Sequence, residues 1–309
     1  MTVTTTAAAR ARRRAGFLCA AVLIVMCTAN SIGTQVVRAD VPQDEMVTLP
    51  DGDMHVVVSG TPSTEAVVLI HGLAGSTAWW DQVMPALRGR YVIRVDLLGD
   101  GKSAKPDSGY SIAEQSRRVG IVLDRLGVGR AILIGHSSGG YVATSLAEQR
   151  HDLVSAIALI DTGARLDAFT DNGPASALLS LPGLGQAVWP LLPDAAIRVA
   201  LSSAFTRDVV IPDEVIADVH GMTYRSLTAT SAASDDYLRA QPESDRLAAL
   251  ALPSMVIHGS ADKRWLPASF DDYRRVSGVR LETLDCGHTP MIEDPADTGP
   301  LLRDFVDHH

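Results

Sequence analysis

The stretch Ala131-Ile132-Leu133-Ile134-Gly135-His136-Ser137-Ser138-Gly139-Gly140-Tyr141-Val142-Ala143 decides the fold. Its first four residues are an unbroken apolar run, as expected of a strand buried on both faces of a parallel sheet. Residues 141–149 then read as a helix. Between them Gly135-x-Ser137-x-Gly139 makes the tight strand-to-helix turn known as a nucleophile elbow. Only small neighbours fit so sharp a turn, hence a glycine on each side. The turn lifts the Ser137 hydroxyl clear of the sheet and aims the next helix N-terminus at it, where the dipole favours negative charge. A Ser/Gly-rich turn without chemistry is the plain alternative, and the strand before and helix after argue against it.

Outward from this point, strand and helix alternate. Residues 47–60 predict a hairpin turning at Asp51-Gly52, and 66–70, 91–96, 155–160, 255–258 and 279–284 predict strands. Helices are expected near 79–87 and over 111–126, where Ile112, Val119, Val122, Leu123 and Leu126 fall at helical spacing, with further pieces over 269–276 and 301–306. Such alternation implies a mostly parallel sheet covered on both faces, an α/β protein. Residues 164–247 break the rhythm, and a stretch so long is not a plain loop. Short helical patterns at 195–205 and 213–227, interrupted by Pro174, Pro182, Pro190, Pro193 and Pro212, predict a helical cap over the carboxyl edge of the sheet. The core is then 40–163 and 248–309. The cap is expected to be mobile and to select the substrate. Its apolar residues Phe169, Leu178, Leu179, Leu181, Leu184, Val188, Trp189, Leu191 and Leu192 are too clustered for a solvated loop, so some must face the sheet or a pocket.

Composition bounds the function. Of 309 residues 46% are hydrophobic and 20% charged, an ordinary globular balance that excludes a disordered or collagen-like chain. Thirty-six acids against 27 Lys and Arg argue against a nucleic-acid binder. Residues 1–39 predict a secretory signal peptide: a cluster of Arg10, Arg12, Arg13 and Arg14, an apolar run over 16–27, then cleavage after Ala39. Arg13-Arg14 also fits a twin-arginine export signal, whereas Met26 before Cys27 does not fit a lipoprotein signal. Cleavage removes five arginines and no acid, so the exported protein would carry −14 and no stable membrane anchor. Cys286 then stands without another cysteine, which excludes a disulfide framework.

A serine needs a base. His288 follows the last predicted strand in Cys286-Gly287-His288, so it hangs at the same carboxyl edge as Ser137. The base needs an orienting carboxylate. Asp262, just past the 255–258 strand, is favoured, and Asp161, ending the preceding strand, is the second candidate. Attack creates charge on a carbonyl oxygen. The turn His71-Gly72-Leu73-Ala74-Gly75 and the elbow supply the amides of Leu73 and Ser138 as oxyanion donors. Trp79, Trp80 and Trp189 are candidates for an apolar substrate wall. No histidine pair has zinc-ligand spacing, and the reading calls for no metal and no cofactor.

These motifs together resemble the α/β-hydrolase superfamily over residues 47–306, in the chain order Ser, Asp, His. The resemblance rests on the 71–75 turn, the 135–139 elbow, Gly259-Ser260-Ala261-Asp262, and Gly287-His288-Thr289-Pro290 with Glu293. It implies an eight-stranded, mostly parallel sheet with a helical cap, and the triad Ser137, Asp262 and His288. Asp96-Leu97-Leu98-Gly99-Asp100-Gly101-Lys102-Ser103 is similar to the family's Asp-x-x-Gly-His-Gly-x-Ser turn, with Asp100 in place of the common histidine. Two nucleotide motifs fail. Gly99 to Ala104 fits G-x-G-x-x-A but leads into a loop, and the first glycine of a phosphate loop would fall on Asp96. The expectation is a serine hydrolase that takes a small-molecule ester with a hydrophobic part through an acyl-enzyme. A carbon–carbon bond hydrolase, an acyl transferase, a perhydrolase similar to cofactor-free haloperoxidases, and a non-enzymatic binder are the alternatives. Oligomeric state is left open.

Overall fold

A computed structural model describes residues 42–170, 181, 183–202 and 204–309, and Gln43–His309 form one compact unit. The predicted signal segment and residues Leu178 and Leu179 of the insertion lie outside the described residues. The strands are β1 (Gln43–Val47), β2 (Met54–Ser59), β3 (Glu65–Ile70), β4 (Val92–Val95), β5 (Arg130–His136), β6 (Val154–Ile160), β7 (Ser254–Gly259) and β8 (Arg280–Leu284). The helices are α1 (Ile112–Arg125), α2 (Ser138–Gln149), α3 (Leu184–Val188), α4 (Asp194–Ser202), α5 (Asp213–Gly221), α6 (Tyr224–Ala240), α7 (Glu243–Leu250), α8 (Pro290–Glu293) and α9 (Pro295–His308).

The strands form an eight-stranded sheet in the order β1-β2-β4-β3-β5-β6-β7-β8. The β1–β2 and β2–β4 pairs are antiparallel and the rest are parallel. Its two faces are read off β3 with period two. Val68 and Ile70 join the apolar cluster that contains Val119 and Val122 of α1 and Val142 and Leu146 of α2. Val67 and Leu69 join the opposite cluster, with Trp80, Leu302 and Phe305. Burying such a side chain fully stabilises the fold by roughly 1.5–3 kcal/mol.

Three expectations need correction. Residues 79–87 are not one helix. They form two 3₁₀ turns, Thr77–Trp80 capped by the Ser76 side chain and Met84–Leu87 with a proline in its first turn. The 213–227 pattern is two helices, because Thr223 and Ser226 form a reciprocal capping box that starts α6 anew. The boundary at 247 cuts α7, whose Leu247 and Leu250 are buried in the main core. The neck of the insertion is instead closed by Glu243, whose N–H donates to the Ala164 carbonyl at 2.8 Å.

The insertion contributes to both faces. Leu238 of α6 joins the α1–α2 side. Ile197, Phe205, Ile211, Val215, Ile216 and Val219 join the other cluster, with Trp189, Leu192 and Ala74 of the 71–75 turn packed on it. Leu181, Leu184 and Leu191 face water instead, so the apolar stretch read from sequence is divided between packing and exposure.

Candidate active site

Ser137 sits at the bend between β5 and α2 with φ 50° and ψ −123°. A side chain pays for this left-handed backbone only where the surroundings enforce it. Here they do: a Cβ on Gly135 would lie 2.5 Å from the Gly139 carbonyl oxygen, and one on Gly139 would lie 2.3 Å from that of Ile70. Both glycines are steric necessities of the turn. Among the described residues four non-glycines have positive φ, and Ala74, Ser137 and Asp161 all belong to the carboxyl edge of the sheet.

The chain order of the sheet brings the distant partners together. The Ser137 hydroxyl donates to His288 Nε2 at 3.0 Å, and His288 Nδ1–H donates to Asp262 Oδ2 at 2.9 Å. The other Asp262 oxygen accepts from the Arg264 amide at 2.7 Å. Burial works against the charge of Asp262, yet His288 and these donors hold its carboxyl below the usual range. The 71–75 turn runs alongside, since a Cβ on Gly72 would lie 2.9 Å from that of Ser137. Ser138 opens α2, so its amide is one of the helix's unclaimed N–H groups. Leu73 follows Gly72 in the adjacent turn.

Three residues that the sequence reading left without a role support this arrangement. The Leu97 amide donates to His71 Nε2 at 3.0 Å, so the His71 proton sits on Nδ1 and is donated to the Gly72 carbonyl at 2.7 Å. His136, inside the elbow, donates from Nε2 to the His288 carbonyl at 2.8 Å. Burial, with His288 nearby, pushes its pKa down to about 3, so it is a neutral donor. Glu293 gathers four backbone amides: Thr206, Arg207 and Gly287 donate to Oε2, and Thr289 to Oε1. The His288 amide itself donates to the Ala204 carbonyl at 3.0 Å. The insertion is therefore stitched to both sides of His288.

Trp79 stands beside the site, its ring 5.9 Å from that of His136. Trp80 is completely enclosed, so it belongs to the core and leaves no surface for a substrate wall. Trp189 donates from its indole nitrogen to the Met222 carbonyl, bracing α3 and the 3₁₀ turn after it against the start of α6. Asp161 lies against Asp262: one oxygen of each and one His288 nitrogen are within 4.8 Å of one another. Hydrogen bonds within that set already engage His288 and Asp262. The Asp96 turn is structural, its carboxylate accepting from His55 and from the Thr77 and Lys102 amides. The Asp100 carboxyl is buried, and burial beside Asp96 raises its pKa well above the usual value. Burial likewise pushes the Cys286 thiol up to about 12, which leaves it unreactive.

The α/β hydrolase family profile matches residues 67–299. A protein of Variovorax paradoxus provisionally named a carbamate hydrolase, RutD, is 30% identical, the match covering 82% of this chain and 96% of that one. Among solved structures, one provisionally named an aryl esterase, from Burkholderia cenocepacia, superposes with TM-score 0.73 at 22% identity, over 86% of this chain and 98% of the other. Haloalkane dehalogenase DbeA from Bradyrhizobium elkani gives 0.72 at 22% identity, over 87% and 98%. These structures speak for the fold alone, since one fold carries several chemistries. With the matched span covering β3 to α9, the chain belongs to the α/β hydrolase family.

Proposed function

We propose that this hydrolase is a serine enzyme that cleaves a carboxylic ester with a hydrophobic part through an acyl-enzyme. The observation that carries this is the hydrogen-bonded line from Ser137 Oγ through His288 to Asp262. As Ser137 Oγ attacks the ester carbonyl, its proton passes to His288 Nε2. The imidazolium is stabilised by Asp262 and the oxyanion by the amides of Leu73 and Ser138. The proton then goes to the leaving alkoxide, the alcohol departs, and the acyl group stays on Ser137. Water repeats the cycle: His288 takes its proton, the new oxygen attacks the acyl carbon, and the proton returns to Ser137 as the acid leaves.

The cap in this reading is the insertion between 164 and 243, with Trp79 as the fixed wall beneath it. The apolar cluster shared by Trp79, Ala74, Phe205 and Val209 supports a hydrophobic acyl or alcohol group. Residues 1–39 direct export and are removed, a step checked by the N-terminal mass of the secreted protein.

The test is a turnover screen of the mature protein over esters of graded acyl length, lactones and vinylogous diketones. The expected result is highest kcat/KM on apolar esters, with a burst of alcohol equal to the enzyme present. Preferential cleavage of the diketones moves the reading to carbon–carbon hydrolysis. No turnover on any of them favours a binder.

A further inference from the structure

We infer that Asp161 holds a proton at neutral pH and donates it in a hydrogen bond to Asp262, acting as a positioning residue behind the catalytic line. This rests on the serine-hydrolase reading only for its kinetic consequence.

Asp161 is fully buried at the end of β6. Its Oδ1 accepts the Gly259 amide at 2.9 Å, which ties the end of β6 to the end of β7. Among the described residues its Oδ2 has no donor. A buried carboxylate oxygen without a donor is costly. The Asp262 carboxyl lies beside Asp161, with one oxygen of each and a His288 nitrogen inside 4.8 Å. Asp262 can only accept there. Two ionised carboxylates cannot share a dry site, so one keeps a proton.

The partners decide which one. Asp262 accepts from His288 Nδ1 and from the Arg264 and Trp265 amides. Among the described residues one backbone amide, that of Gly259, donates to Asp161, so the charge settles on Asp262 and the proton on Asp161. The other titratable groups around the pair agree. Glu293 of α8 bears on Asp161 with like charge, while the Cys286 thiol in the last loop and His136 close to Asp262 are neutral. Burial and the charge of Asp262 raise the Asp161 pKa well above the ordinary range.

The backbone offers a second, independent sign. Asp161 has φ 44°, a left-handed conformation uncommon for an aspartate and shared with Ser137 and Ala74. The bend turns its carboxyl toward the end of β7, where Asp262 is carried. A protonated Asp161 thus gives Asp262 one more donor. It fixes the rotamer that faces His288 and draws off part of the carboxylate's charge.

Two measurements test this. The first needs no substrate: the infrared difference spectrum between the folded wild-type protein and Asp161→Asn at neutral pH. A protonated-carboxyl C=O band present in wild type and missing in the variant is expected. Loss of an ionised carboxylate band instead overturns the proposal. The second is the pH profile of turnover. Asp161→Ala should lower kcat at least tenfold with little change in KM and move the acidic limb upward, because Asp262 becomes more basic. Asp161→Asn, whose amide donates to Asp262 and whose oxygen still accepts from Gly259, should rescue most of that loss and return the limb to its wild-type place. A downward move of half a unit or more in Asp161→Asn means that a negative charge was removed, and the proposal fails. If the wild-type protein turns over no ester, the serine-hydrolase reading fails while the infrared result stands.

Discussion

Glu293 accepts the backbone N–H of Thr206 at 2.8 Å across 87 positions of sequence, and the same oxygen accepts the Gly287 amide next to His288. One carboxylate thereby holds a loop of the insertion and the loop of His288 together. Arg207 reinforces the junction with bonds to the carbonyls of Asp285 and Glu293 and an ion pair to Asp294. The insertion is part of what positions His288, and deleting 164–247 outright would strip that support as well as any substrate wall.

Glu293→Gln turns one accepting oxygen into a donor facing amides that also donate. Each buried clash of this kind costs about 1–3 kcal/mol. The expected outcome is a Tm lower by about 5 °C and a loss of kcat larger than any rise in KM, measured by calorimetry and steady-state kinetics. An unchanged kcat would show that the junction does not reach His288.

Asp262→Asn presents an NH₂ or a weaker acceptor to His288 Nδ1 and destabilises the imidazolium. Turnover should fall by about 10³–10⁴-fold, with the fold intact by circular dichroism. The same change at Asp161 should cost far less. The opposite ranking would place the orienting acid at the end of β6.

His136 is held neutral, its pKa moved from the ordinary 6.5 to about 3. A histidine whose folded pKa is depressed favours the folded state above its unfolded pKa, and this is lost as pH falls. The loss begins near 6.5 and runs toward 3, with an upper bound of about 5 kcal/mol. Tm should therefore fall on acidification through that window, and His136→Gln, which cannot charge, should flatten the slope. Equal slopes in the two proteins would assign the acid sensitivity to other groups.

Trp79→Leu opens space beside the His136–His288 pair while keeping an apolar contact. Its kcat/KM should shift toward bulkier acyl groups by about tenfold, with little change on an acetate ester, since each substrate methylene that gains a place in an apolar pocket is worth about 1–3 kcal/mol. A uniform loss on every ester would make Trp79 a packing residue only.

The elbow was legible because sterics force its residue types: no side chain fits at Gly135 or Gly139, so the pattern had to appear in the chain. His288 and Asp262 could be placed because parallel strands all end at one edge. The supporting donors were not legible. Glu293 acts on main-chain amides, which no residue type at 206 or 207 announces. His136 reads as an ordinary elbow residue until its reach to the His288 carbonyl is seen. The insertion was the least readable part, since its helices are set by local caps such as Thr223–Ser226 and its apolar residues divide between the core cluster and water.

The central claim is that Ser137 is a nucleophile activated by the fold. Its most direct measurement is labelling of the folded protein with a fluorophosphonate, read by intact mass and peptide mapping. The account predicts a single adduct, on Ser137, that is absent after denaturation and strongly reduced in His288→Ala. A folded protein that stays unlabelled, or an adduct on another residue, would contradict it.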